Sequence, residues 1–344
     1  MILFRCNVSP SVGAGHLTRC RTLAAMLTAR GVACAMAGPE DDWRLAGDEA
    51  LFRSWTPLTW TTGAADAEAF IALAGRLGAR VAVMDDYRMD EAYQLRLRAA
   101  GLTWLQQFDA SSPPPFWADF VANGGPRETP EHYRALARNP RTEFLLGPEF
   151  AVLRPAFANL PPREADRPLK RLLISFGGGD DRGMVVRALE ALTGHGPAGV
   201  SLRVMSGAGN PGNAAIADWI TAHAPDRAVL AVNPDDVAGE YLNADLAVIA
   251  GGTSTFEAAA AGVPMLITAM ADNQIRQGLG WQDRGAAIYL GRAPEVNPLD
   301  IAAQVTALAA DDARRAAMSR AGQANVDGKG CARLVDRLIG ALNG

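Results

Sequence analysis

Short apolar runs alternate with helix-patterned stretches along most of this chain, and the alternation runs through twice. "MILFRCNVS" reads as a strand, and "HLTRCRTLAAMLTARG" reads as a helix that stops at Gly31. "VACAMAG" and "RVAVMDDY" are strands, "DEAYQLRLRAAG" is a helix, and "LTWLQQFD", "DFVANGG" and "EFLLGPEF" continue the strand pattern. Near Pro155 the texture changes: "RPAFANLPPREADRPLKR" is rich in proline and charge and reads as a linker. The repeat then restarts with "RLLISFGG", "DRGMVVRALEAL" and "SLRVMSG", and runs on to "VPMLITAM" and "DNQIRQGLGWQDRG". Repeated strand–helix units require crossovers, so the sheets should be parallel and covered on both faces. The predicted fold class is α/β, with two Rossmann-like doubly wound domains facing a cleft. The predicted domains are 1–154 and 169–344, with a hinge at 155–168. The last helical stretch, "GCARLVDRLIGAL", could pack on either domain.

With 344 residues, 49% hydrophobic and 20% charged, the chain can bury two ordinary cores. A net charge of −4 argues against a nucleic-acid partner, which needs a basic face. It leaves a phosphate-bearing small molecule open, because local dipoles can hold one. Cys6, Cys20, Cys34 and Cys331 are widely spaced and read as buried free thiols. His132, His195 and His223 fall in loop or surface-helix patterns, and none of the histidines pairs at metal-ligand spacing. No metal and no cofactor is therefore expected. No charged leader precedes the first strand, and no apolar run approaches the roughly 20 residues that span a bilayer. A cytoplasmic protein without membrane insertion is the expectation.

Three strand-to-helix turns are rich in glycine. The first holds Gly13, Gly15 and His16; the second Gly177, Gly178 and Gly179; the third Gly251, Gly252, Thr253, Ser254 and Thr255. Glycine lets backbone approach a ligand, and a helix start offers unpaired N–H groups, so together they suit an anion. Tight-turn packing is the alternative at each. None is a dinucleotide fingerprint or a Walker loop. In open α/β sheets, ligands bind beyond the carboxyl ends of the strands, where these turns lie.

Other candidates flank the turns. Glu257 sits in the first turn of its helix, where a carboxylate could hold ribose hydroxyls or simply complement the dipole. Asn273 and Gln274 open another helix and could bind hydroxyl or acetamido groups, with helix capping as the alternative. Asp85, Asp86 and Tyr87 end a strand and should face the cleft; adjacent carboxylates there point opposite ways, which disfavours a metal. Tyr87 could hold a sugar ring. His16 follows a Gly-x-Gly turn at a helix start, which suits a neutral general base. Arg19, one turn later, could pair with phosphate or a carboxylate.

In order along the chain, G-x-G-H-x-x-R at Gly13, Gly15, His16 and Arg19, then "LLGPEFAVLRPAF", "ISFGGGDD", "GGTSTFEAAAAGVP" and "DNQ", resemble one family. The pattern is similar to that of the UDP-2,4-diacetamido-2,4,6-trideoxy-β-L-altropyranose hydrolases of pseudaminic acid biosynthesis. These are similar in fold to GT-B glycosyltransferases, especially the peptidoglycan N-acetylglucosaminyltransferase. The resemblance implies metal-independent, inverting hydrolysis at the anomeric carbon of a UDP-linked diacetamido sugar. It implies His16 as the essential histidine, with Tyr87 and Asn273 on the sugar and UDP on Gly178, on Gly252 to Ser254 and on Glu257. From motifs and resemblance together, the expected sugar contacts are Gly15, Arg19, Asp86, Tyr87, Asn273 and Gln274. The expected UDP contacts are Gly13, Gly177, Gly178, Gly252, Thr253, Ser254, Thr255 and Glu257. A glycosyltransferase with the same donor, and a non-catalytic nucleotide-sugar sensor, are the alternatives.

Overall fold

The computed structural model describes residues 1–9, 14–109, 113–164 and 167–344. It divides into two compact units, Met1–Pro155 with Gly328–Gly344, and Ala156–Asp327.

In unit 1 the chain runs β1 (Ile2–Cys6), α1 (Gly15–Ala29), β2 (Cys34–Ala37), α2 (Asp48–Leu51), β3 (Trp55–Thr56), α3 (Gly63–Leu77) and β4 (Val81–Asp85). It continues through α4 (Glu91–Ala99), β5 (Thr103–Gln107), β6 (Phe120–Asn123), α5 (Pro130–Arg134) and β7 (Glu143–Leu146). Local chemistry sets several boundaries. Thr62 accepts from the Ala65 amide to start α3, and left-handed Gly78 ends it. Asp90 accepts from the Tyr93 amide to start α4. The seven strands form one sheet of order β3-β2-β1-β4-β5-β6-β7, with every pair parallel. Strand order reverses between β1 and β4, where Cys6 is opposite Asp85.

Unit 2 begins with β8 (Arg171–Ser175), α6 (Met184–His195), β9 (Ser201–Ser206), α7 (Asn213–His223), β10 (Ala228–Val232), α8 (Val237–Asn243) and β11 (Leu246–Ala250). There follow α9 (Ser254–Ala260), β12 (Met265–Ala269), α10 (Asn273–Asp283), β13 (Ala287–Arg292), α11 (Pro298–Ala309) and α12 (Asp312–Asn325). Its six strands are again all parallel, in the order β10-β9-β8-β11-β12-β13. The reversal here lies between β8 and β11.

Burial follows the pleat. In unit 1, Ile2, Phe4, Val81, Val83 and Leu105 point to one face and pack with Leu17, Leu23 and Leu27 of α1. Leu3, Ala82, Met84 and Trp104 point to the other, against Phe70 of α3 and Tyr93 and Leu97 of α4. The last helix, α13 (Gly330–Asn343), returns to unit 1. Its stripe Cys331, Leu334, Val335 and Leu338 is fully buried on the α1 side of the sheet. Each such leucine contributes about 1.5–3 kcal/mol.

The proline-rich stretch is anchored on unit 2 by Asp245. That carboxylate accepts from the Lys170 and Arg171 amides at 2.8 Å each and pairs with Arg163 and Arg167. Arg163 also donates to the Ala244 carbonyl. Burial, with Arg167 beside it, pulls the Arg163 guanidinium down to about 10 despite the pull of Asp245.

Candidate functional site

His16 is the second residue of α1 and is buried, and the strand-order reversal decides what it meets. Because β4 lies beside β1, the end of β4 sits under the start of α1. The pleat turns Asp85 toward α1 and Asp86 away from it. His16 Nδ1 is 2.6 Å from Asp85 Oδ1. Arg19 donates to the same carboxylate from Nε to Oδ2 and from Nη2 to Oδ1, each at 2.8 Å. Arg19 Nη1 bonds Asp109, which follows β5, and the Tyr87 hydroxyl donates to the other Asp109 oxygen. The Tyr87 ring stands edge-on to the imidazole at 4.6 Å between centroids.

Asp85 is wholly buried. Burial raises its carboxyl, but Arg19 and His16 outweigh this and hold it below the usual carboxylate value. Arg19 is driven well above its ordinary value by Asp109 and Asp85, against the effect of its own burial. Nδ1 has two neighbours, Asp85 Oδ1 at 2.6 Å, which can only accept, and Arg19 Nη2 at 2.8 Å, which can only donate. The shorter contact to the buried carboxylate, which Arg19 Nη2 also serves, favours the tautomer with the proton on Nδ1 and the lone pair on Nε2. Among the described residues none hydrogen-bonds Nε2. The arrangement can therefore take a proton at Nε2 and steady the resulting imidazolium against Asp85.

The other expected unit 1 residues are spread around this centre. Gly15 opens α1, and a Cβ there would meet nothing within 4 Å. Gly13 lies outside the described residues. Asp86 is buried, but its carboxylate is held by the Arg88 backbone amide at 3.0 Å and by the Arg88 side chain at 2.6 and 2.9 Å. Arg88 in turn lies 4.1 Å over the Trp60 ring. The pleat thus separates Asp86 from His16. Arg19, expected on the sugar, directs its donors at Asp85 and Asp109. Asp85 and Asp109 are absent from the expected contacts. Their signal is an acid at or just past the end of each of two strands, and only the strand order, β4 beside β1 and β5 beside β4, shows that the two acids come together near the start of α1. His132, His195 and His223 are exposed, and the four cysteines are free and buried.

In unit 2 the turns after β8 and β11 lie at the second reversal. Gly177 has φ +100°, and a Cβ at Gly177, Gly178 or Gly179 would meet nothing within 4 Å. The expected join between this turn and a helix start is absent. Helix α6 begins only at Met184, where Asp181 accepts from the Gly183 and Val185 amides. A further glycine turn follows β9. A Cβ on Gly207 would lie 2.4 Å from the Gly178 Cα, so only glycine lets the two loops touch backbone to backbone.

After β11, a Cβ on Gly251 would lie 2.9 Å from the Gln274 carbonyl oxygen, which seats the start of α10 on this turn. Thr255 is fully buried; its hydroxyl donates to the Gly252 carbonyl at 2.8 Å and accepts from Gln277 at 2.9 Å. It braces the turn from inside. Thr253 is exposed and Ser254 half-buried, and Glu257 is buried in the first turn of α9. Gln274 Oε1 accepts from the Met270 amide at 2.9 Å, whereas Asn273 is exposed. Neither Asp272 nor Asn273 caps α10; Asp272 pairs instead with Arg292 at 2.6 Å. The structure brings Gly251 to Thr255 and Gln274 together within unit 2. Among the described residues no cluster of three or more His, Cys, Asp and Glu could hold a metal ion, and no helix is long and apolar enough to cross a membrane.

Comparisons with known proteins reach the whole chain only through structure. MurG of Acinetobacter baumannii superposes with a TM-score of 0.71 at 17% identity, over 98% of each chain. The fold is that of the GT-B glycosyltransferases. Anabaena HepE, solved with UDP, gives 0.62 at 11% identity over 99% of each chain. The spinosyn rhamnosyltransferase SpnG with thymidine diphosphate gives 0.63 at 17%, over 98% of this chain and 100% of that one. In sequence, the spore coat polysaccharide biosynthesis protein SpsG of Bacillus subtilis is 27% identical over 196 residues. That match spans 56% of this chain and 57% of SpsG. No protein-family model matches.

Proposed function

We propose that this chain is a metal-independent, inverting nucleotide-sugar hydrolase. It cleaves the anomeric C–O bond of UDP-2,4-diacetamido-2,4,6-trideoxy-β-L-altropyranose to UDP and the free sugar. The observation that carries the reaction type is the His16–Asp85 pair, whose Nε2 meets no hydrogen-bond partner among the described residues, at the strand-order reversal of unit 1. The ordered motifs support the substrate, and the similarity to SpsG supports a role in sugar biosynthesis. HepE and SpnG, solved with nucleoside diphosphates, support a UDP-sugar ligand.

His16 Nε2 takes a proton from water as the water oxygen attacks the anomeric carbon opposite the leaving UDP. The new C–O bond forms as the bond to the β-phosphate oxygen breaks, and the imidazolium rests on Asp85. A positioned base of this kind contributes about 10²–10⁴ in rate. UDP is assigned to the turns at Gly177–Gly178 and Gly252–Ser254, whose amides would stabilise charge on the departing phosphate, with Glu257 on the ribose. Asn273 is assigned to the sugar, as an exposed amide with both donor and acceptor. Product of this kind is expected to enter pseudaminic (nonulosonic) acid assembly and surface or flagellin glycosylation, in the cytoplasm.

A glycosyltransferase is the second reading, favoured by the glycosyltransferases among the solved structures. There an acceptor hydroxyl replaces water over the same base. One NMR time course with the UDP-diacetamido sugar and no acceptor separates them. Stoichiometric UDP and free sugar of inverted configuration, abolished by His16→Asn, is the expected result. Turnover only after an acceptor is added would make the chain a transferase. Saturable binding with no turnover under either condition would make it a sensor.

A further inference from the structure

The Asp85 carboxylate in unit 1 has two cationic claimants. Its Oδ1 lies 2.6 Å from His16 Nδ1 and 2.8 Å from Arg19 Nη2, and those two nitrogens are only 2.8 Å apart. When His16 takes a proton, a second positive charge forms against the guanidinium. With Arg19 alone, one carboxylate would have to serve both. The structure supplies a second acid. Arg19 Nη1 bonds Asp109, whose side chain is 36% exposed, and Asp109 also accepts from Tyr87. The Tyr87 ring packs edge-on against His16, so the circuit His16–Asp85–Arg19–Asp109–Tyr87 closes on itself.

We propose that Asp109 is a positioning residue which neutralises the outer side of Arg19 and so leaves Asp85 free to orient His16 and to stabilise its protonated form. The inference rests on His16 being the base, but its first test does not. Asp109 touches no reacting atom in this assignment and acts through Arg19. The groups around His16 are Asp85 from β4, Arg19 from α1 and Tyr87 from the loop after β4. Cys6 is opposite Asp85 across the β1–β4 pair, and the buried Cys20 thiol is pushed well up by its neighbour Cys6 and by burial, so that thiol stays neutral. Asp109 is thus the carboxylate that can offset Arg19 without competing for the imidazole.

The test follows the His16 ring directly by NMR, in full-length wild type, Asp109→Asn, Tyr87→Phe and the double variant Arg19→Gln with Asp109→Asn. The ring should carry its proton on Nδ1 in the wild type at high pH. Asp109→Asn should move the midpoint of its titration down by about half to one pH unit, the direction expected when a nearby anion that favours the charged imidazole is lost. Tyr87→Phe, which leaves the charge in place, should move it less. The double variant should bring it back toward the wild-type value, because the uncompensated cation is gone too. In turnover, Asp109→Asn should move the acid limb of kcat by the same amount and lower kcat with little change in KM.

An Asp109→Asn titration that coincides with wild type in a folded protein overturns the proposal. So does a double variant that shifts as far as the single. If the ring behaves as expected but wild type releases no UDP from the sugar nucleotide, the hydrolase reading fails and the positioning role stands. If wild type releases UDP and His16→Asn does not, while Asp109→Asn leaves ring and pH profile unmoved, the reverse holds.

Discussion

Replacing Asp85 by Asn removes the charge that holds His16 and Arg19 together beneath the start of α1. The carboxylate is fully buried and takes three short contacts, at 2.6, 2.8 and 2.8 Å. Removing one partner of a buried ion pair costs about 3–5 kcal/mol; Arg19 keeps Asp109 and the new amide oxygen still accepts, so about 2–3 kcal/mol is expected here. The effect on turnover is larger than that loss suggests. An amide NH₂ facing Nδ1 reverses the tautomer and places the ring proton on Nε2, where it blocks a base; a fall of about 10³–10⁴ in kcat follows. The stability loss also depends on pH. Asp85 titrates below its unfolded value, so its contribution is present above the ordinary carboxylate pKa of about 3.9 and is lost as pH falls through the lower folded value. Urea unfolding at pH 7, 5 and 3, in a His16→Gln background that removes the ring's own titration, reads this directly. The difference between Asp85 and Asn should stay level from pH 7 to 5 and shrink toward pH 3. A loss below about 1 kcal/mol at pH 7, or one that does not shrink in acid, would refute the assignment of Asp85 as a charged keystone.

Other outcomes follow from single contacts. Gly207→Ala should force the loop after β9 away from Gly178, cost about 1–3 kcal/mol and weaken UDP binding at least tenfold by calorimetry. Thr255→Val keeps the shape but removes the bonds to Gly252 and Gln277, and should cost about 1–2 kcal/mol in thermal or urea unfolding. Asp245→Ala leaves Arg163 and Arg167 without their carboxylate and should destabilise the protein by about 3–5 kcal/mol, with proteolysis starting in the 156–168 stretch. Gln107→Met removes a buried amide nitrogen that has no hydrogen-bond partner among the described residues; stability should hold or rise by about 1 kcal/mol, measured by urea unfolding.

Much of the architecture is written locally. Strand and helix in a βα repeat differ in apolar period, glycine turns mark where one becomes the other, and caps such as Asp90 act within three residues. Those signals reach His16 at the start of α1, the glycine turns after β8 and β11, and Gln274 at the start of α10. They do not reach Asp85 and Asp109 as partners of His16 and Arg19. That pairing depends on β4 lying beside β1 and β5 beside β4, and parallel strands become neighbours through crossovers that no short window records. The same holds for Gly207, whose requirement for glycine comes from a loop some thirty residues away. It also holds for α13, whose apolar stripe is plain in the sequence while its seat on unit 1 is not. A histidine after a glycine turn was visible in the chain by itself. The acids that direct its proton came together only when the sheet formed, because hydrogen bonds and ion pairs act across space and not along sequence.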